Sequence, residues 1–219
     1  MKAVTEKNNF SYLTGSLVIL LLSSALIDSL PGSNSHLLLQ IIVFLTYVVG
    51  YLSLNFGPIW RRFVGTLVLL LIISNILHEL TSWSQLNILD LVLMLVFFCG
   101  AAYRSSLQVL FSGKVDSNII VGSVAIFLLL GLIWATLYLV ALELSATAFN
   151  GISPGNWTDN FPAASYFSYV TLTTLGYGDI SPAEPLSRVL VYLEAITGVF
   201  YMAIVVASLV GARRSHPES

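Results

Sequence analysis

The run Thr171-Leu-Thr-Thr-Leu-Gly-Tyr-Gly-Asp179 holds the residues best suited to chemistry in this 219-residue chain. Two glycines flank a tyrosine, threonines open the run and an acid closes it. A cation crossing a narrow pore must exchange its water shell for other oxygens at nearly equal energy, and stacked rings of backbone carbonyls can supply them. Turning successive carbonyls to one side needs left-handed backbone, which glycine permits at Gly176 and Gly178. The Thr174 hydroxyl can add an oxygen at one end of the stack. The plainer alternative is a glycine-rich turn between two helices.

Such a loop needs a membrane around it, and the composition agrees. Hydrophobic residues make up 57% of the chain and charged ones 9%, with a mean hydropathy of +0.88. That is too apolar for the surface of a soluble domain. The net charge of -2 carries no nucleic-acid footprint. Cys99 is the single cysteine, so an intrachain disulfide is excluded.

Six apolar segments are expected to span the membrane, at about Tyr12–Leu30, Leu37–Phe56, Phe63–Leu80, Leu86–Tyr103, Ile119–Leu142 and Val189–Val210. Each is near the ~20 residues that cross a hydrocarbon core, or slightly longer. For the first segment a signal peptide is the rival reading, because Ser23-Ser24-Ala25 follows an apolar run. The run continues through Leu26 and Ile27, which favours a retained span.

Between the fifth and sixth segments, residues 162–173 predict a helix of roughly 18 Å, short of the ~30 Å core. It should enter the membrane and return, capped by Asp159 or Asn160 with Pro162 in its first turn. The negative end of its dipole would then face inward and favour a cation. Non-helical backbone at that depth is tolerated where it lines a watery path.

Thr174-Leu-Gly-Tyr-Gly-Asp179, behind a short helix and ahead of a span, resembles the filter of potassium channels, and the likeness to their pore domain covers residues 119–211. The resemblance implies potassium coordination by backbone oxygens of Thr174, Leu175, Gly176 and Tyr177, with Gly178 completing the bend and no cofactor beyond the permeant K+. The commonest filter has valine at the place of Leu175, whose carbonyl alone would face the ions. The resemblance also implies that Tyr166 on the pore helix hydrogen-bonds Asp179 and supports the filter, with interfacial anchoring as the alternative. Val170 stands where some relatives carry a buried glutamate.

Gly198 matches the gating glycine of the family's inner helix, and a bend there would open the cytoplasmic mouth. Close helix packing through Gly198, Ala203 and Ala207 is the other reading. Glu194 lies four residues earlier on the same face. Its Glu-x-x-x-Gly pattern resembles many prokaryotic pore domains, where it would brace the pore helix or titrate during gating. One chain supplies one filter segment and a ring needs four, so a homotetramer in contact with lipid is expected.

The fold class expected is therefore all-α: six transmembrane helices, a re-entrant pore helix at 162–173, a filter loop at 174–179, an inner helix at 189–210 and a tetrameric pore. Residues 1–104 form a four-span sensor-like domain, 105–118 a linker that could lie as an interfacial helix, and 119–211 the pore domain. The tail 212–219 is too short for a cytoplasmic ligand-binding domain. With both termini cytoplasmic, eight of the nine lysines and arginines fall inside and only Arg188 outside, as the positive-inside rule requires. The expected location is the inner membrane of a prokaryote. Glu143, Asp159, Asp179 and Glu184 then lend the outer mouth an acidic cast, with ordinary solvated loop acids as the alternative.

The fourth segment has no basic residue before Arg104, whereas voltage sensing moves several charges through the field. Weak or absent voltage dependence follows. Asp28, His78, Glu79 and Asp90 fall near outer span ends, either as ordinary interfacial charges or as a pH- or ligand-responsive cluster. Two other functions compete. A non-conducting regulatory subunit is one, and the intact filter string argues against it. Gly176-Tyr-Gly-Asp179 also fits the Gly-x-Gly-Asp of intramembrane aspartyl proteases, but the partner Tyr-Asp pair is missing.

Overall fold

A computed structural model describes residues 8–28, 35–54, 57–81, 85–111 and 116–214. Within them the chain forms seven helices: α1 (Asn9–Asp28), α2 (Ser35–Ser53), α3 (Pro58–Thr81), α4 (Gln85–Phe111), α5 (Ser117–Leu144), α6 (Trp157–Leu172) and α7 (Pro185–Arg214). Among the described residues the other regular structure is a pair of two-residue strands, β1 (Phe149–Asn150) and β2 (Ser181–Pro182), antiparallel with Phe149 opposite Pro182.

Four helices, α1, α4, α5 and α7, contain stretches long and apolar enough to cross a membrane. This is an all-helical, multi-pass integral membrane protein. The expected count of six is met only as far as these four. The apolar run of α2, Leu37–Ser53, is shorter, and α3 carries Arg61, Arg62, His78 and Glu79 within its bounds.

Helix α5 is the hub, touching α1, α4, α6 and α7. It is apolar on all sides, the pattern of a helix with no solvent face. Leu129, Leu132, Ala135 and Tyr138 are fully buried along it. Its N-terminus is capped by Asp116, whose carboxylate accepts the Ile119 amide at 2.9 Å. A polar clasp joins α1, α4 and α5: Asn118 Nδ2 donates to Asn9 Oδ1 at 2.9 Å, and Asn9 Nδ2 to Gln108 Oε1 at 2.9 Å. Gln108 belongs to α4 because that helix runs through Arg104 to Phe111, so Leu107, Leu110 and Phe111 form its last turns.

Helix α6 starts at Trp157, five residues before the expected start at Pro162. Proline at the first turn is a sound local rule, but burial decides here. Trp157 and Phe161, one turn apart, are 7% and 0% exposed, and packing them extends the helix ahead of the proline. Its N-cap is Asn156, not Asp159 or Asn160; Asp159 instead falls in the first turn. At 16 residues α6 is still only about 24 Å long and cannot cross the core.

Helix α7 begins at Pro185, where the missing amide costs nothing. Ser187, three residues after Glu184, closes the end in the manner of a capping box. Its hydroxyl accepts the Glu184 amide at 3.1 Å and donates to Ala148 O at 2.7 Å, tying α7 to the residue before β1. By contrast with α5, α7 leaves Tyr192, Ile196 and Phe200 exposed along one side.

Candidate ion-coordinating site

The filter string follows directly from the C-terminal turn of α6. Thr174 N donates to Thr171 O at 2.9 Å, and Val170 O then receives two amides, Leu175 N at 2.9 Å and Gly176 N at 3.3 Å. These bonds satisfy carbonyls that a helix end otherwise leaves open. They also draw the filter's amides to the α6 side.

Left-handed residues alternate along the string: Thr174 at φ 58°, Gly176 at φ 58° and Gly178 at φ 84°. Alternating handedness gathers successive N–H groups on one side of the chain and leaves the carbonyls to the other. Glycine adopts this backbone freely, but a residue with a Cβ pays roughly 1–2 kcal/mol. Thr174 bears that cost, and the glycine pattern alone gave no sign of it. Leu175 and Tyr177 project outward, 56% and 68% exposed on the single chain. An open cleft of ≈ 700 Å³ adjoins the string, bordered by Thr173, Thr174, Gly198 and Met202.

Tyr166 Oη donates to Asp179 Oδ2 at 2.8 Å, joining the middle of α6 to the end of the string. The phenyl cluster of Tyr138, Phe149 and Phe167, with centroids 5.1–5.6 Å apart, packs α5 and β1 against the other side of α6. Tyr169 Oη donates to Leu128 O at 2.6 Å. Its ring lies over Gly131, where any Cβ would collide with it.

Glu194 is fully buried where α5, α6 and α7 meet. Ser168 Oγ stands 2.5 Å from Glu194 Oε1 and 2.7 Å from Gly131 O, while Tyr138 Oη donates to Glu194 Oε2. The residues reached by Glu194 are therefore Ser168 and Tyr138, which sequence reasoning did not single out. Serine and tyrosine in an apolar span carry no local signal of a partner on another helix. Gly198 sits one turn on, pressed against the last carbonyl of α6: a Cβ there would overlap Leu172 O. Ala203 and Ala207, grouped with it in the packing reading, are exposed on this chain.

Outside the spans, Ser145 Oγ and Thr147 Oγ1 donate to Glu184 Oε1 at 2.5 and 2.7 Å. These two hydroxyls, Ser145 first, hold the Glu184 carboxyl below the usual carboxylate range. Of the outer-end cluster, the side chains of Asp28, His78 and Glu79 lie outside the described residues, as do Lys2, Lys7, Lys114 and the tail 215–219. Asp90 is described, and it is buried.

Residues 124–213 match the family described as ion channel. That stretch takes in most of α5, all of α6 and the filter string, and α7 to its penultimate residue, so the site above lies wholly within it. The matched family is one of channels and not of enzymes, which removes the protease alternative. Among curated proteins, the chain is 41% identical over 90 residues to "Inward rectifier potassium channel Kirbac3.1" of Paramagnetospirillum magnetotacticum, covering 38% of this chain and 29% of that protein. It is 34% identical over 82 residues to "Two pore potassium channel c" of Oryza sativa subsp. japonica, covering 35% and 18%. It is 35% identical over 75 residues to "Two-pore potassium channel 4" of Arabidopsis thaliana, covering 34% and 26%. The matched region thus spans less than a third of each relative's length. No solved structure matches.

Proposed function

We propose that the chain is the subunit of a potassium-selective channel that conducts K+ passively, its pore formed where four copies bring their filter strings together. The observation that carries this reading is the alternation of left-handed backbone at Thr174, Gly176 and Gly178, behind a helix too short to cross the membrane. Four such strands would stack the carbonyls of Thr174, Leu175, Gly176 and Tyr177 around an axis and replace a potassium ion's water. The exposed side of α7 is where neighbouring subunits and lipid would meet. In this reading α2 and α3 complete a six-span subunit with both termini cytoplasmic.

Residues 1–104 then form a domain with the layout of a voltage sensor and without its charges, so conduction depends weakly on voltage. Tyr166 and Asp179 steady the outer end of the filter, Glu194 braces α6 from behind, and Gly198 lies where α7 would bend.

Purified protein in liposomes tests the reading. Barium-sensitive flux that strongly favours potassium over sodium is the expected result. Flux of both ions alike, or flux untouched by barium, would overturn it.

A further inference from the structure

Ahead of Gly198, helix α7 is clamped, since Glu194 is fully buried in its node with Ser168 and Tyr138. Beyond Gly198 the hold is slight. Val199, Phe200, Met202 and Ile204 are each more than half exposed on this chain. Among the described side chains of that half, Tyr201 makes the one hydrogen bond to another helix: its Oη donates to Ser123 O on α5. The Tyr201 ring lies 5.5 Å from that of Phe127. The open cleft of ≈ 700 Å³ runs between the same stretches, with Ile120 and Val124 of α5 on one side and Val199 and Met202 of α7 on the other. Little packing therefore backs the bond. A phenol in an apolar span must find an acceptor, and a helix carbonyl has a second lone pair to offer.

The acceptor is itself held from the far side of α5. Thr14 of α1 donates to Val121 O at 3.3 Å, two residues before the carbonyl that Tyr201 reaches. Between them Gly122 lies against the Phe10 ring of α1 and the Val109 side chain of α4, where a Cβ would collide with both. Three consecutive residues of α5 thus meet α1, α4 and α7.

We propose that Tyr201 is a latch. Its hydroxyl holds the half of α7 beyond Gly198 to the turn of α5 that α1 and α4 grip, and so ties the N-terminal helices to pore opening. Helix α7 runs unbroken through Gly198, so the bond belongs to the straight helix and a bend there must break it. The effect on conduction rests on the channel reading, in which that bend opens the pore.

Hydrogen exchange read by mass spectrometry, on the full-length protein in detergent, tests the latch without ion flux. Tyr201→Phe keeps the ring and loses the bond. Amides of residues 199–208 should then exchange about threefold faster or more, while those of 186–194 are unchanged. Gly122→Ala, which displaces the α5 turn, should speed the same amides in the unaltered background, but by less than about twofold in Tyr201→Phe. Should Gly122→Ala not fold, Thr14→Val takes its place. In planar bilayers Tyr201→Phe should raise open probability about threefold or more at unchanged single-channel current. Unchanged exchange in Tyr201→Phe overturns the latch. Fully additive effects of the two substitutions overturn the part given to α1 and α4. Faster exchange with an equal or lower open probability overturns the tie to opening. An unaltered protein that passes no current fails the channel reading instead, and the exchange comparison still decides the latch.

Discussion

Ser168 on α6 and Glu194 on α7 stand 2.5 Å apart, oxygen to oxygen, with both side chains buried. The contact links α6, which leads into the Thr174–Asp179 string, to α7, the longest of the described helices. Tyr138 joins the same carboxyl from α5, so three helices share one polar node in an apolar setting. Such a node holds its helices firmly only while every member has a partner.

The hydrogen count on Ser168 leads to a prediction. Its hydroxyl has one hydrogen and two oxygen neighbours, Gly131 O and Glu194 Oε1. Two full bonds require it to donate to one and accept from the other. A main-chain carbonyl cannot donate, so a donor at position 194 completes the chain. Glu194→Gln brings N–H donors at nearly the same volume and should stay within about 1 kcal/mol of the unaltered protein. Glu194→Ala leaves the buried Tyr138 hydroxyl without its acceptor beside a cavity, while Ser168 keeps Gly131 O, and should cost about 3 kcal/mol or more. Unfolding of the detergent-solubilised protein measures both. Equal losses for the two variants would show that volume, not hydrogen bonding, is what residue 194 contributes.

Gly198→Ala separates packing from bending. A methyl group would overlap the Leu172 carbonyl, which is main chain and has little room to move. The expected loss is about 1–3 kcal/mol, seen as a lower unfolding temperature before any current is recorded. A pure hinge role predicts the opposite pair of results: unchanged unfolding and altered open probability. An unfolding temperature equal to that of the unaltered protein would sink the packing account.

Glu184 provides a test against pH just ahead of α7. Its folded carboxyl sits below the ordinary range because Ser145 and Thr147 donate to it. A lowered pKa contributes stability that is present above the unfolded value, near pH 4, and lost as pH falls through the folded value. Ser145→Ala, which removes the larger cause, should raise the Glu184 pKa and shrink this acid-sensitive part. The effect is small, since the group is exposed and screened. Unfolding midpoints recorded from pH 6 to pH 3 should therefore converge for the two proteins at the acid end. A gap that stays constant across the range would show that Ser145 acts without the carboxylate.

How much of this could be read in advance depended on the distance between the residues involved. The two glycines at 176 and 178 announce left-handed backbone within a few residues, and φ is positive at both. Thr174 escaped notice because its side chain disfavours the conformation it adopts; the two amides bonded to Val170 O hold the turn that imposes it. The start of α6 was misplaced for a related reason. Pro162 is a strong local marker, but the burial of Trp157 and Phe161 outweighs it. Ser168 and Tyr138 lie 26 and 56 residues from Glu194, and no periodicity within a helix predicts such meetings.

By itself, then, the chain's order of residues determined a membrane protein with one helix too short to span and a glycine-dependent loop after it, because hydropathy, helix length and backbone freedom act over a turn or two. Tertiary structure alone decided what stands behind that loop: the Glu194 node, the close approach of Gly198 to Leu172, and the reach of Tyr201 to Ser123 O. These depend on which faces meet when α5 is buried among its neighbours. Apolar helices can satisfy their hydropathy in many rotations, and only the few polar and smallest side chains select one.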